Sequence, residues 1–234
     1  MVKRKLVVLT GAGMSAESGI STFRDSGGLW EQYPVMQVAS HTGWERDPEL
    51  VNRFYNERRK QLLTCAPNKG HLLLAQMEQD WDVSIITQNV DDLHEKAGST
   101  HVIHLHGELM KVTSSLHPDD PQLIETMDEA RWEVQPHERA KDGSLLRPYI
   151  VFFEEAVPKI SEAAQTTSTA DVFVIIGTSL NVYPAAGLIH YAPHGIPIYL
   201  IDPKEVATPP DLNVTFIQSG ASEGVARLIE LLKG

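Results

Sequence analysis

The chain is 234 residues long and 42% hydrophobic, with 31 acidic against 20 basic side chains and a net charge of -11. That length suits one large domain, or one domain carrying a smaller insert. The acidic balance argues against a nucleic-acid grip spread over the surface, no run is long enough to span a membrane, and the single cysteine, Cys65, excludes an internal disulfide and fits a reducing cytoplasm.

The opening MVKRKLVVLTGAG has the outline of a signal peptide, but its apolar part is only Leu6–Thr10 before Gly11, so it reads as a basic tip leading into a first strand. Further apolar runs rich in Val and Ile follow at Val83–Thr87, Val102–Leu105, Tyr149–Phe153, Val172–Ile176, Ile196–Ile201 and Val214–Ile217. Helical patterns lie between them, from Asp47 to about Thr64 and over Asn68–Gln79, Glu155–Thr167, Ala185–Tyr191 and Ser222–Leu232. Continuous apolar runs alternating with helices predict an α/β fold with a buried parallel sheet and crossover helices. Residues 108–147 interrupt the rhythm with charges and prolines and are expected to form a small inserted subdomain. Residues 24–64, loop then helix, form a second candidate segment. The large domain then comprises 1–23, 65–107 and 148–234.

In GAGMSA, a strand end meets Gly11, Ala12 and Gly13 and turns into a helix. Glycine lets backbone approach closely and a helix N-terminus offers free N–H groups, so the pattern suits a phosphate. It matches the loose dinucleotide form G-x-G-x-x-[GA], yet the acidic ribose reader about 20 residues on is missing, which argues against an ordinary dehydrogenase. Taken alone, the loop reads equally well as a tight strand-to-helix turn. Three more strand ends carry polar residues: Gln88, Asn89 and Asp91 in TQNVDDLH, His106 in HLHGEL, and Gly177, Thr178 and Ser179 in GTSLNVYP. A lone histidine such as His106 more often caps a loop than reacts. Ligands of open α/β sheets sit at the carboxyl ends of strands, and four such ends in one sheet point to a site.

Together, GAGMSAESGISTFR, TQNVDDLH, HLHGEL, GTSLNVYPAAG and the late GASEGV resemble the sirtuins, NAD-dependent protein-lysine deacylases, over nearly the whole chain. The resemblance implies a Rossmann-type NAD-binding domain and a smaller domain, with NAD and acyl-lysine meeting between them. It implies cofactor contacts by Gly11, Ala12, Gly13, Ser15, Glu17, Phe23, Arg24, Trp30, Gln88, Asn89, Val90, Asp91, Gly177, Thr178, Ser179, Asp202 and Ala221. Asn89 and Asp91 would take the nicotinamide carboxamide, which offers both donor and acceptor. Asp202 stands where the family often has Asn for the adenosine ribose, a mild change because a carboxylate also accepts from hydroxyls. After nicotinamide leaves and the acyl oxygen attacks the ribose, His106 would be the general base that activates a ribose hydroxyl, with Asn89 as its catalytic companion. Val151, Phe153 and Val182 would contact acyl-lysine substrate.

Two departures from the family stand out. Most sirtuins hold a structural zinc through two cysteine pairs, which one cysteine cannot supply. No metal is expected, His117 and His137 read as exposed loop residues, and Leu123, Ile124, Met127, Trp132 and Val134 are the candidate apolar contacts of the insert. In YIVFFEEAV, Glu154 replaces the usual glycine and puts peptide docking in question.

On FYNERRKQLL, Phe54 and Leu62 are expected in the core, while Arg58, Arg59 and Lys60 read as a solvated charge run. The resemblance adds a second reading. In the branch preferring acidic acyl groups, a Tyr-x-x-Arg binds the acyl carboxylate and an upstream alanine leaves room, here Tyr55, Arg58 and Ala39. The expected activity is therefore removal of succinyl and malonyl groups, with acetyl groups possible, from lysines of protein or peptide partners. Neither nucleic acid nor membrane is involved, the setting is cytoplasmic, and a monomer is expected. An NAD glycohydrolase or ADP-ribosyltransferase on the same scaffold, or a non-catalytic nucleotide-binding module, are the alternatives.

Overall fold

The computed structural model describes residues 2–20, 33–210 and 212–233. Six strands form one sheet: β1 (Lys5–Thr10), β2 (Asp82–Thr87), β3 (Val102–His104), β7 (Val172–Ile176), β8 (Ile198–Asp202) and β9 (Val214–Gln218). The spatial order is β3-β2-β1-β7-β8-β9 and every pairing is parallel, with Leu6 opposite Val83 on one side and Val172 on the other. Strand order reverses between β1 and β7, which is where open α/β sheets leave a crevice for ligands.

Both faces of this sheet are covered, which is why β1 and β7 read as unbroken apolar runs. One face takes Leu74 and Met77 of the helix Lys69–Met77 and Val225 and Leu228 of the helix Ala221–Lys233. The other takes Ala163 of the helix Ile160–Thr167 and Leu188 and Ile189 of the 3-10 segment Ala185–Tyr191. The helix expected from Glu155 begins only at Ile160, because Glu155 turns back to accept from Phe152 N at 2.9 Å. The segment Ala185–Tyr191 is a 3-10 turn rather than an α-helix.

A second, antiparallel sheet joins β4 (Gly107–Ser114), β5 (Glu125–Thr126) and β6 (Leu146–Ile150) in the order β5-β4-β6. The Tyr149–Phe153 run was expected in the large sheet. Instead its first residues end β6, and Phe153 forms only an isolated bridge to Ser40. Val112, Met127, Val134, Ala140 and Leu146 form the core of this region. Of the expected contacts Met127 and Val134 are buried, while Leu123, Ile124 and Trp132 are only partly so. His117 and His137 are exposed.

The long helix Pro48–Leu62 packs on the small sheet, against β4 and β6. Asp47 caps it by accepting from Leu50 N, and Pro48 begins it. It buries Val51, Phe54, Tyr55 and Leu62 against Leu109, Ile150 and Phe152. Arg59 departs from the solvated reading: it is fully buried, donating from Nε to the Leu109 carbonyl and from Nη1 to Asn56 Oδ1. Asn56 in turn exchanges two hydrogen bonds with the Val134 main chain, so one helix face stitches the small sheet in place.

Among the described residues, no group of three or more His, Cys, Asp and Glu stands close enough to hold a metal ion. At the end of β4, Ser114 Oγ donates to Asp142 Oδ2 at 2.6 Å, and Ser144 Oγ donates to Asp142 Oδ1 at 2.7 Å. These side chains are spent on one another, so this corner does not fit the family's zinc. No helix among the described residues is long and apolar enough to cross a membrane.

Candidate active site

The site is built where β1 and β7 end. Gly11 N donates to the Ile176 carbonyl and Gly13 N to the Gly177 carbonyl, both at 2.9 Å. The two loops touch backbone to backbone. A Cβ at Gly13 would stand 2.6 Å from Gly177 Cα, and one at Gly177, whose φ is +63°, would stand 2.4 Å from Met14 N. Only glycine permits this cradle. Beside it Thr178 is buried, and its Oγ1 accepts from Gln88 Nε2 at 3.2 Å. Ser179 follows, partly buried.

Asn89 follows β2 and is tied down almost completely. Its N–H donates to Thr87 Oγ1, which also accepts from Thr10 Oγ1. Its Nδ2 donates to the Gly11 carbonyl at 3.0 Å and to Ser15 Oγ at 3.1 Å. Ser15 Oγ donates onward to Asp91 Oδ2 at 2.9 Å. Asn89 Oδ1 meets no donor among the described residues and remains able to accept. Burial pushes the Asp91 carboxyl above its usual range, against the Ser15 and Leu93 hydrogen bonds and the His104 charge.

His106 is partly buried just beyond β3, with Nδ1 3.0 Å from the Gln88 carbonyl. A carbonyl only accepts, so Nδ1 carries the proton and Nε2 is the free base atom. Burial pulls this imidazole below its usual pKa, the Gln88 bond opposing it, so the ring is neutral at pH 7. The His106 carbonyl accepts from Val151 N, joining His106 to the chain that leads to Phe153.

On the far side, Glu17 Oε1 accepts from Ser222 N at 3.1 Å, which brings the first loop to the helix beginning at buried Ala221. Asp202 closes β8 and accepts from Lys204 N. Gly11, Ala12, Gly13, Ser15, Glu17, Gln88, Asn89, Val90, Asp91, His106, Gly177, Thr178, Ser179, Asp202 and Ala221 therefore all lie at the carboxyl ends of the strands or just beyond. Phe23, Arg24 and Trp30 fall outside the described residues.

Tyr55 is buried between Phe54, in edge contact at 5.2 Å, and Phe152 at 6.0 Å. Burial pushes its hydroxyl up to about 12, against the attraction of Arg58, Arg147 and Arg59, so it is a neutral donor at pH 7. Arg58 is partly buried, its guanidinium 5.8 Å from the Tyr55 ring centre and 5.9 Å from that of Phe54. It shares a small cavity with Val90, Asp91 and Leu109. Ala39 is buried, and its carbonyl accepts from Phe153 N at 2.8 Å. Phe153 and Val182 are exposed apolar residues and Val151 is partly buried.

Glu154 has φ +76°, the left-handed region that favours glycine. Its carboxylate accepts from both Thr42 N at 2.9 Å and Thr42 Oγ1 at 2.8 Å. The glycine-like backbone is thus retained with a side chain in place, held by the segment that begins at His41. Sequence reasoning missed this clasp, and it also missed His104 and Glu95, whose pairing spans two elements.

Residues 11–184 match the Sir2 family. The chain is 59% identical over 229 residues to an NAD-dependent protein deacylase of Bacteroides thetaiotaomicron, covering 98% of both chains. It is 49% identical over 231 residues to one of Helicobacter pylori, covering 98% of this chain and 97% of the other. A solved Sir2 homologue in complex with NAD superposes with a TM-score of 0.86 at 37% identity, over 99% of this chain and 90% of the other.

Proposed function

Because this chain belongs to the Sir2 family and is an NAD-dependent protein-lysine deacylase, we propose that it removes acidic acyl groups, succinyl and malonyl, from lysine side chains in the cytoplasm, transferring them to ADP-ribose with release of nicotinamide. The observation that carries the acyl preference is Arg58, which shares one cavity with Val90 and Asp91. A guanidinium there offers a planar donor fork to a carboxylate; Tyr55, whose ring centre lies 5.8 Å from it, and Ala39 are buried and do not line this cavity, so the fork alone carries the reading.

The residues fit NAD. Glycine at 13 and 177 lets the two strand-end loops pack backbone to backbone, and the residues beside that contact, Ala12, Thr178 and Ser179, border the groove that takes the NAD phosphates. Ser15, Glu17, Asp202 and Ala221 continue the groove toward the ribose and adenine, and Phe23, Arg24 and Trp30 retain the cofactor roles that the resemblance implies. NAD supplies the ADP-ribosyl group that receives the acyl group. Asn89 Oδ1 and Asp91 receive the carboxamide, with Gln88 and Val90 beside them. His106 takes a proton at Nε2, which its lowered pKa leaves free at neutral pH. Val151, Phe153 and Val182 line the approach of the acyl-lysine, beside Glu154, which keeps a glycine-like backbone and turns its carboxylate to Thr42.

The test is a rate ranking on succinyl, malonyl and acetyl versions of one lysine peptide at fixed NAD. The proposal expects kcat/KM for the succinyl and malonyl peptides to exceed that for acetyl. Equal values, or acetyl leading, would leave a general deacylase.

A further inference from the structure

Two residues before His106 stands His104, 4% exposed at the end of β3. Its Nε2 lies 2.7 Å from Glu95 Oε1 and its Nδ1 lies 3.2 Å from the Asn89 carbonyl oxygen. Neither a carboxylate nor a peptide carbonyl can donate. Both nitrogens are satisfied together only in the imidazolium form, in which both carry protons. A neutral ring would turn a bare nitrogen toward one of the two acceptors.

We propose that His104 is a positioning residue: its imidazolium, clasped by Glu95, fixes the Asn89 main chain and so aims the Asn89 side chain at nicotinamide. The proposal rests on the reading of Asn89 given under Proposed function. The carbonyl that His104 holds belongs to the peptide plane between Asn89 and Val90. The next carbonyl, of Val90, accepts from Leu109 N at 2.7 Å. Rotation of the first plane would turn Asn89 and also the Val90–Asp91 wall. The other anchors of Asn89 run to Thr87, Gly11 and Ser15, all neutral, and the His104 bond is the charged one. Charge-assisted bonds are about twice as strong as neutral ones.

The groups facing His104 come from three elements. Glu95 and His94 stand on the short helix Leu93–Ala97, Asp91 in the loop after β2 and Glu108 on β4. Burial pulls the imidazole pKa down, but the Glu95 bond and charge, Glu108 and the Asn89 carbonyl outweigh it and leave it raised. The cation draws Asp91 toward its ionised form and helps keep buried His94 neutral. Lys111 pairs with Glu108 at 2.7 Å and also favours ionised Glu95. Since the folded pKa lies above the usual value of ~6.5, the clasp is complete below that value and is lost as pH rises through the folded one.

Histidine-selective nitrogen NMR on the ligand-free full chain reads the state directly. Both His104 ring nitrogens should show protonated shifts at pH 7, with a midpoint above ~6.5 that falls in Glu95→Gln. The alkaline limb of kcat/KM for NAD should move to lower pH in the same variant, by roughly tenfold or more in rate on that limb, and calorimetric NAD affinity should weaken there too. A neutral His104 at pH 7, or a Glu95→Gln profile that superposes on wild type, overturns the proposal. If Glu95→Gln does not fold, the wild-type titration decides. An inactive wild type would overturn the deacylase reading, whereas the NMR titration and NAD affinity would still decide on His104.

Discussion

Replacing Arg58 with Met tests the acyl-reading role through the ratio of two activities. Methionine keeps a long apolar stem against the Tyr55 and Phe54 rings, whose centres lie 5.8 and 5.9 Å from the guanidinium carbon. What it removes is the cation. Burial lowers the Arg58 pKa, and Tyr55 and Asp91 oppose that shift, so the charge stands in a partly desolvated wall beside Asp91. A charge-assisted hydrogen bond in such a place contributes about 1.5–3 kcal/mol, and each ~1.4 kcal/mol is tenfold. The ratio of kcat/KM for succinyl over acetyl peptide should therefore fall by about one to two powers of ten. The ratio is the right readout because loss of the Arg58–Asp91 attraction would also disturb cofactor binding, and that disturbance acts on both substrates alike. Steady-state rates on paired peptides, differing only in the acyl group, measure it. If both activities fall together and the ratio moves less than about threefold, Arg58 does not read the acyl carboxylate.

Three further outcomes are expected. His106→Ala should lose acyl transfer by about 10²–10⁴ while calorimetry shows NAD binding largely intact; near-normal turnover would remove His106 as the base. Purified protein should carry no stoichiometric zinc by elemental analysis, and a chelator should leave Tm unchanged, because Ser114, Asp142 and Ser144 bond one another in the small sheet; a melting point that drops on chelation would contradict this. The Glu155 carboxyl sits low because, although burial raises it, the Arg147 hydrogen bond and charge outweigh burial. The stability from that pair is present above the ordinary glutamate value of ~4.3 and is lost as pH falls through the lowered one. Acid unfolding of Glu155→Gln should lack this component, and wild type and variant with identical acid limbs would contradict the pairing.

The strands that carry the site were legible because they are buried on both faces. Leu6–Thr10 and Val172–Ile176 are continuous apolar runs for that reason, and the polar residues that follow each had to lie at one edge of the sheet. Tyr149–Phe153 looked the same but ends a strand of the small sheet, because apolar content does not reveal which distant strand a segment pairs with. Arg59 looked solvated within its charge run, since its real partners, Leu109 and Asn56, become visible only once the helix is docked. Glu154 was legible as an anomaly in a glycine position, but the compensating Thr42 lies 112 residues away. His106 stood out at its strand end, with a role as base implied only by the family resemblance, whereas the surroundings of His104 depend on a carboxylate from another element.

The most direct test of the account identifies products by mass after incubating the protein with NAD, with and without a succinyl-lysine peptide. The account predicts nicotinamide, deacylated peptide and succinyl-ADP-ribose in equal amounts, all dependent on the peptide. Nicotinamide released at the same rate without peptide, or free succinate with intact NAD, would contradict it.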